Sequence, residues 1–297
     1  DKYSERLEFH YLNKTISIRD IKGAKIYIRT IDLFLKNYIK LKMNKNHIVY
    51  HFRALLFAES FSRNKNYFSA AYIIFLEMIT YILADEVSCV SMNLKKKLYS
   101  LFLLKRKIYV FPCLVPNKGR TKLAMNDNQE DKLVEFVYMG SVSGWQKFDT
   151  IVEIFKEYSI RNKNSNLTVI TKDKEEASKI LKDKNLVAKV KSLSNEEVLR
   201  DLPNYNFGFL VRDNNLLNNV SSPIKFLEYL SCGVIPIMTE GVGDYSKEVQ
   251  DNDIAIVLKE DRRLAETEIK RFLNDVLLDK RIENYYKGYI FENVAEI

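Results

Sequence analysis

The segment from Asn206 to Tyr245 constrains the fold more than any other part of the chain. An apolar run at 207–211 predicts a buried strand, a polar loop follows it, and a second apolar run at 234–238 predicts another strand. Between the two strands, Ser222 and Pro223 are typical of the start of a helix. The order strand, loop, helix, strand is the building unit of a parallel α/β sheet. In such sheets ligands bind outside the carboxyl ends of the strands.

Charged side chains gather where this predicted helix begins. Lys225 and Glu228 are three residues apart and share one helix face, and Arg212 leaves the preceding strand towards the same space. We expect Ser222 to cap the helix, which leaves the first-turn N–H groups free to favour an anion such as phosphate. Two cations beside such N–H groups suit a diphosphate. One ionised carboxylate suits two ribose hydroxyls, because it only accepts hydrogen bonds. The segment therefore predicts a nucleotide-sugar site.

The second half of the chain alternates strands with helices, which predicts a parallel sheet with crossover helices. Strands are predicted at 134–139, 167–171, 186–191, 206–211, 234–238 and 254–257. Helices are predicted at 147–160, 174–183, 194–201, 223–232 and 261–278, and residues 281–297 are predicted to form one more amphipathic helix.

The first half is predicted to be a smaller unit of strands and helices. Strands are expected at 7–12, 47–52, 85–91 and 108–115, helices at 24–43 and 98–104, and a polar linker at 116–132. The apolar run Tyr67–Ala84 approaches the length that spans a bilayer, but Glu77 in its middle is costly in lipid and favours a buried helix. The predicted domains are 1–120, 121–280 and a C-terminal helix at 281–297.

Charge is unevenly distributed along the chain. Residues 1–120 contain 22 Lys and Arg against 9 Asp and Glu, whereas the remainder contains 25 against 30. A basic half predicts an anionic partner, which could be nucleic acid, an anionic membrane surface or a phosphorylated acceptor; a merely soluble basic surface is the alternative. No aromatic–basic RNA motif or DNA-reading helix is recognisable, so we expect no nucleic-acid partner. The three scattered cysteines indicate a reducing compartment.

Two further sequence patterns bear on cofactor and metal binding. Gly140 and Gly144 flank a loop that lets the backbone approach a ligand, but they do not form the spacing of a dinucleotide fingerprint. In the same loop, Lys147 either reaches a phosphate or is a plain surface lysine. His47 and His51 are four residues apart, but on a strand they merely share a face, and no carboxylate or cysteine is near them in sequence. No metal site is therefore expected.

Several segments of the sequence resemble those of a known family. The sequence SSPIKFLEYLSCGVIPI, followed by GVGD, resembles the donor-binding segment of GT-B glycosyltransferases, in particular the retaining family four. Members of that family often read S-P-x-K-x-x-E-Y-L-x-x-G-x-P-V-I, and here the proline is displaced by one position to Pro236. The sequence YMGSVSGWQK resembles the first strand and loop of the same domain. Residues 84–91, preceded by Glu77, resemble the end of the acceptor domain.

The resemblance implies two Rossmann-like domains with parallel sheets that face each other across a cleft, and a C-terminal helix that packs back. It implies a glycosyltransferase that needs no metal or cofactor and moves a sugar from a nucleoside-diphosphate sugar to a glycan or lipid-linked acceptor. We expect it to be cytoplasmic and peripheral at the inner face of the cell membrane. The implied donor-binding residues are Gly140, Ser141, Lys147, Arg212, Ser222, Pro223, Lys225 and Glu228. Of these, Arg212, Lys225 and Glu228 would be catalytic, and His51 and Arg53 would lie on the acceptor side.

The chain departs from the family pattern in three places. Many members carry Glu eight residues before the ribose Glu, where this chain has Val220. The usual Arg five residues before the loop Lys falls at Val142, and Arg212 is a candidate to replace its charge. The family's first strand and glycine-rich loop have no counterpart, so we expect an N-terminally incomplete acceptor domain. These departures keep a second hypothesis open, a non-catalytic protein that binds nucleotide sugars, and the basic half keeps open a third, a nucleic-acid-binding protein.

Overall fold

The computed structural model describes residues 21–115, 133–142, 144–260 and 262–290. It separates into two compact units, of which the first ends at Pro112 and the second begins at Cys113. This division is close to the domain boundary expected near residue 120. The strand predicted at 7–12 and the linker predicted at 116–132 lie outside the described residues.

The first unit is built on a four-stranded parallel sheet with strand order β1-β2-β3-β4. Its elements are β1 (Lys25–Ile28), α1 (Ile31–Met43), β2 (His47–Phe52), α2 (Leu56–Asn64), α3 (Tyr67–Leu83), β3 (Glu86–Cys89), α4 (Met92–Phe102) and β4 (Ile108–Val110).

Helices α1 and α3 pack on the same face of this sheet. The ring of Tyr50 in β2 lies 5.5 Å from that of Phe34 in α1, and the ring of Phe52 lies 6.3 Å from that of Tyr81 in α3. Right-handed crossovers between strands that are neighbours in both sequence and space always put their helices on one side of a sheet. The side chains that alternate with Tyr50 and Phe52 along β2 therefore lie on the opposite face of the sheet.

The apolar run predicted as a buried helix forms α3, but its burial is only partial. Phe68 is 90% exposed and Tyr72 is 63% exposed, whereas Glu77 is fully buried. The Glu77 carboxylate accepts hydrogen bonds from the backbone N–H groups of Leu56 (2.8 Å) and Phe57 (3.4 Å), which begin α2. Burial raises the pKa of Glu77 to about 7, against the effect of these two hydrogen bonds. Among the described helices, none has the length and apolar character that crossing a bilayer requires.

Two helix predictions in this unit had wrong boundaries. Residues 25–28 form a strand rather than the start of a helix, because Ile26 and Ile28 follow the two-residue alternation of a strand that pairs with β2. Helix α4 begins at Met92, earlier than predicted, because the Ser91 hydroxyl accepts a hydrogen bond from the N–H of Leu94 and caps it.

The second unit contains a six-stranded parallel sheet with strand order β10-β9-β8-β5-β6-β7. Its strands are β5 (Val134–Met139), β6 (Ser165–Ile170), β7 (Lys189–Lys191), β8 (Phe207–Leu210), β9 (Ile235–Met238) and β10 (Ile256–Val257). Its helices are α5 (Phe148–Arg161), α6 (Lys174–Asp183), α7 (Asn195–Asp201), α8 (Leu216–Asn219), α9 (Ile224–Ser231), α10 (Tyr245–Asn252), α11 (Glu266–Leu273) and α12 (Leu278–Tyr286). This strand order is that of a Rossmann domain, in which all strands are parallel and the order of successive strands reverses between β5 and β8.

The predicted helix at 261–278 covers α11 and only the first residue of α12, so it spans a break between two helices. The chain breaks between them because the Asp275 side chain accepts a hydrogen bond from the N–H of Leu277 (3.0 Å) and pairs with Arg281 (2.5 Å). Helix α12 thus begins before the predicted start at 281 and ends at Tyr286, so it covers only the first part of the helix predicted at 281–297, of which residues 291–297 lie outside the described residues. It packs on the second unit, where Tyr285 meets the ring of Phe226 edge-on at 6.0 Å.

Candidate functional site

The described chain brings two loops together at the point where the order of the second sheet reverses. Tyr138 in β5 lies opposite Phe209 in β8, so the two strands end at the same level. Gly140 and Ser141 follow β5, and Arg212 lies two residues beyond β8. This is the position in a Rossmann domain where ligands bind.

Gly140 is shaped to let the side chain of Lys225 pass over it. Its φ is +144°, and a Cβ at this position would lie 2.2 Å from Lys225 Nζ and 3.2 Å from the Tyr138 hydroxyl. The Lys225 ammonium is 3.1 Å from Gln146 Oε1 and 5.9 Å from the centroid of the Tyr138 ring. The Tyr138 hydroxyl in turn donates to the carbonyl of Ser141 at 2.5 Å. The glycine, the lysine and the loop after β5 thus form one packed group, a contact that the spacing in the sequence does not predict.

Arg212 and Lys225 carry charge in poorly hydrated surroundings. Arg212 is only 6% exposed, and burial lowers its pKa to about 10. Burial, reinforced by the charge of Arg212, lowers the pKa of Lys225 to about 8, and Glu228 acts in the opposite direction. Within the described residues, Lys225 makes no ion pair; its polar contact is the neutral amide of Gln146. An anion that entered this group would therefore meet two cations whose charged forms are disfavoured by burial.

Glu228 lies one turn after Lys225 on α9 and is half-buried. Burial raises the pKa of its carboxyl group, and the charge of Lys225 opposes this effect. The three-residue spacing predicted from the sequence therefore produces an electrostatic coupling between these two side chains.

The backbone of Arg212 is fastened to the end of a second strand. Its N–H donates to Thr239 Oγ1 (2.8 Å), and the Thr239 hydroxyl donates back to the Arg212 carbonyl (2.6 Å). Thr239 directly follows β9, so this pair of hydrogen bonds joins the ends of neighbouring strands. The backbone from which the Arg212 side chain extends is thereby held by the sheet.

Ser222 does not cap α9, and that prediction is wrong. The cap position is Pro223, whose side chain has no acceptor, and the Ser222 hydroxyl instead lies 2.9 Å from the Tyr245 hydroxyl and accepts from the N–H of Cys113 at 3.2 Å. The backbone N–H groups of Ile224 and Lys225 make no hydrogen bond within the described residues. The first-turn N–H donors expected at this helix start are therefore present, although its cap is different.

Lys147 is engaged in an ion pair. It has a left-handed backbone (φ 54°) just before α5, and its ammonium lies 2.6 Å from Asp213, which also pairs with Arg262 at 3.1 Å. Burial alone would raise the pKa of Asp213, but the bonds from these two cations lower it. The charge of Lys147 is thus partly compensated within the protein, because Asp213 is shared with Arg262.

The two positions that depart from the family pattern are both buried. Val142 and Val220 are each 3% exposed, and the N–H of Val142 is 3.2 Å from Asp173 Oδ2. Neither side chain presents a polar group to a ligand.

His51 and Arg53 belong to the first unit, which is described by itself. His51 Nδ1 lies 2.9 Å from the hydroxyl of Ser88, and burial together with the charges of Arg29 and Arg53 lowers the pKa of His51 to about 4. No carboxylate is near His47 along the chain, but β3 brings Glu86 Oε1 to 2.9 Å from its Nε2. In the described part of the chain, no group of three or more His, Cys, Asp and Glu residues is arranged to hold a metal ion.

Sequence reasoning did not single out Tyr138, Gln146, Thr239 or Tyr245 as parts of the site. Tyr138 and Gln146 lie within the glycine-loop motif, so their closeness to Gly140 in sequence is a usable signal. Thr239 and Tyr245 become partners of Arg212 and Ser222 only when the strands and α10 are assembled.

Comparison with known proteins bears on the fold alone. No protein-family model matches the chain, and no curated protein sequence is significantly similar to it. Among solved structures, sucrose-phosphate synthase from Thermosynechococcus elongatus is 14% identical, with a TM-score of 0.68 over 91% of this chain and 71% of that one. TarM is 14% identical, with a TM-score of 0.69 over 96% of this chain, which spans only 55% of TarM.

A third structure, an alpha-glucosyltransferase in complex with UDP and a 13-mer DNA containing a HMU base, is 17% identical, with a TM-score of 0.58 over 90% of this chain and 75% of that one. Each of these three likenesses covers 90% or more of this chain. The chain therefore has the fold of the GT-B glycosyltransferases.

Proposed function

We propose that this protein is a glycosyltransferase that moves a sugar from a nucleoside-diphosphate sugar to a glycan or lipid-linked acceptor in the synthesis of cell-surface polysaccharide or glycolipid. The observation that carries the proposal is the group at the reversal point of the second sheet. There two poorly hydrated cations, Arg212 and Lys225, lie beside the start of α9, and Glu228 lies one turn further on. The similar alpha-glucosyltransferase structure contains UDP, which supports a nucleoside diphosphate as the ligand of such a fold.

In this proposal the diphosphate binds Arg212, Lys225 and the N–H groups at the start of α9. Ser222 and Pro223 shape the loop that presents these groups, and Glu228 accepts hydrogen bonds from the ribose hydroxyls. Transfer of the sugar leaves negative charge on the departing nucleoside diphosphate. Cations held in a site of low polarity stabilise that charge strongly, without reorganisation during the reaction.

The same cations would supply the charge that a metal ion supplies in other transferases, so the proposal needs no metal. Retention of the anomeric configuration follows from the resemblance to the retaining family, and the configuration of the product, read by NMR, tests it. Lys147 contributes only after release from Asp213, since the two form an ion pair of 2.6 Å.

The experiment begins with a thermal-shift screen of nucleoside diphosphates and their sugars, because a ligand raises apparent stability by RT ln(1 + [L]/Kd). Labelled donors that bind are then assayed for transfer or hydrolysis. We expect Glu228→Ala to abolish turnover while the protein stays folded, and the matched variant Glu196→Ala to keep full activity, since Glu196 is a highly exposed carboxylate on α7. Full activity of Glu228→Ala contradicts the proposal.

A non-catalytic protein that binds nucleotide sugars is the second candidate. It is favoured by Val142 and Val220, which are buried where the family pattern has a charged residue. This candidate would be favoured if donors bind in the thermal-shift screen but are neither transferred nor hydrolysed with any of a panel of acceptors.

We further propose that the first unit contacts an anionic membrane surface. Along α3, Phe68, Tyr72, Phe75 and Ile82 are each more than half exposed and recur at the spacing of one helix face. Residues 21–112 carry sixteen Lys and Arg against five Asp and Glu, which complements an anionic bilayer.

Vesicle sedimentation tests this contact. We expect binding to vesicles with phosphatidylserine, weaker binding to vesicles of neutral phosphatidylcholine, and loss of binding when Phe68 and Tyr72 are replaced by Ser. Replacement of Ile160, an exposed apolar residue of the second unit, by Ser is the matched control. Equal binding by all three proteins contradicts the proposal, and so does the absence of vesicle binding or the formation of a dimer through α3.

A further inference from the structure

One face of the first sheet carries a cross-strand row of polar side chains near its carboxyl end. His51, Ser88 and Tyr109 lie directly opposite one another on β2, β3 and β4. Ile28, the last residue of β1, pairs with Tyr50, so the next residue, Arg29, continues the chain at the level of His51. Because side chains alternate along a strand, this row lies on the face opposite to that packed by α1 and α3.

The row is followed by a second cation and an aromatic pair. Arg53 directly follows the last residue of β2, and its charge acts on His51. The ring of Phe111 lies 6.4 Å from that of Tyr109 in a nearly parallel orientation, and Phe111 is 40% exposed. The carboxyl end of the sheet thus combines two guanidinium groups with an aromatic surface.

In the part of the chain that the structure describes, neither arginine at this end is within ion-pair distance of a carboxylate. Arg29 and Arg53 are exposed, and within the described residues neither forms an ion pair. The acidic residue on this face is Glu86, at the opposite end of β3, where it is already bound by Lys25 (2.9 Å) and His47 (2.9 Å). Positive charge is therefore compensated at one end of the face and left uncompensated at the other.

The imidazole between the arginines is held as a neutral group. It is half-buried, its Nδ1 is 2.9 Å from the Ser88 hydroxyl, and the charges of Arg29 and Arg53 both act on it. A neutral imidazole that engages Ser88 through Nδ1 has its other nitrogen available for a hydrogen bond. Together, a neutral hydrogen-bonding ring and two flanking guanidinium groups match a phosphate, since arginine binds phosphate through paired N–H donors.

We infer that the carboxyl end of this face, formed by Arg29, His51, Arg53 and the Tyr109–Phe111 pair, binds the phosphate group of the acceptor, and that the acceptor is therefore a phosphorylated compound. The assignment of this ligand as the acceptor rests on the proposed function, whereas the assignment of an anion site does not. The aromatic pair takes the part of the ligand next to the phosphate, either an isoprenoid chain or a sugar ring. A lipid-linked acceptor with an isoprenoid chain and a soluble acceptor with a sugar ring would present the same phosphate group.

Two phosphate probes separate the sources, each measured by isothermal titration with the second unit's site saturated by the nucleoside diphosphate that binds best. Glycerol 3-phosphate represents a soluble phosphorylated acceptor, and farnesyl diphosphate in detergent micelles represents a lipid-linked one. The variants are Arg29→Gln, Arg53→Gln and the two combined. Arg63→Gln is the matched control, because Arg63 is 79% exposed on α2 and has the same charge.

We expect the wild-type protein to bind one of the two probes, with the affinity lowered about tenfold for each guanidinium group of this site that is removed. Arg63→Gln should bind like wild type, and all variants should keep the wild-type affinity for the nucleoside diphosphate. Preferred binding of farnesyl diphosphate assigns a lipid-linked acceptor, and preferred binding of glycerol 3-phosphate assigns a soluble one. The inference is overturned if the wild type binds neither probe or if the double variant binds as the wild type does.

Proton NMR of the histidine rings gives an independent measurement, since the chain has three histidines. A bound phosphate offsets the two guanidinium charges, so the pKa of His51, which is about 4 in the free protein, should rise by about one unit. The double variant should show no such response to the probe. If the wild-type protein binds no nucleotide but this response is present, the proposed function fails while the phosphate site stands.

Discussion

The affinity for a nucleoside-diphosphate sugar should fall as the pH rises from 7 to 9, because Lys225 loses its proton in this range. Its pKa in the free protein is about 8, lowered by burial and by the neighbouring charge of Arg212. A bound diphosphate favours the charged form and raises this pKa. The protonated form is therefore the one that binds, and affinity is lost as the pH passes through the pKa of the free protein. Arg212 keeps its charge over this range, since its pKa is about 10.

The size of the effect follows from the pKa. With a value of about 8, Lys225 is about 90% protonated at pH 7 and about 10% protonated at pH 9, which lowers the affinity about tenfold, or about 1.4 kcal/mol. At pH 8 the complex should take up about half a proton. Isothermal titration in two buffers with different heats of ionisation measures both the affinity and this uptake.

Lys225→Met is the matched control, because any titration of the nucleotide itself remains in that variant. We expect it to bind more weakly at pH 7, by about tenfold or more, and with an affinity that changes little between pH 7 and 9 apart from the ligand's own titration. A wild-type affinity constant within twofold from pH 7 to pH 9 would refute the reasoning. An equal loss of affinity with pH in the wild-type protein and in Lys225→Met would also refute it.

Three further outcomes are expected. Gly140→Ala should lower the stability by about 1–3 kcal/mol and weaken nucleotide binding, measured by urea unfolding and titration, whereas Gly144→Ala, whose Cβ meets nothing within 4 Å, should change little. The pKa of Glu77 is raised in the folded state from 4.5 to about 7, so the free energy of unfolding of the wild-type protein should fall by up to about 3 kcal/mol between pH 4.5 and 8. The free energy of unfolding of Glu77→Gln should depend less on pH. A wild-type free energy of unfolding that rises with pH contradicts this. Tyr245→Phe removes the hydrogen bond to Ser222 and should cost about 1 kcal/mol of stability; no change in the unfolding midpoint would show that this bond contributes nothing.

Much of the second unit could be predicted because its signals are local. Each strand there is a short apolar run, and each helix has an amphipathic spacing, so their alternation predicts a parallel sheet without any knowledge of contacts. Where local signals compete, the prediction failed. Residues 25–28 were assigned to a helix because apolar residues continue into α1, whereas pairing with β2 makes them a strand. The break between α11 and α12 depends on the side chain of Asp275, which a periodic pattern does not report.

The amino-acid sequence by itself determined the fold class and placed Lys225 and Glu228 on one face of a helix that begins at a strand end. Such relations depend on residues three or four positions apart, and the geometry of an α-helix fixes them. The tertiary structure alone decided that Lys225 crosses Gly140 to reach Gln146, and that Ser222 serves Tyr245 instead of capping α9. It likewise decided the row that joins His51 to Ser88 and Tyr109. These partners are brought together by strand register and packing between distant segments, and no local pattern in the chain carries that information.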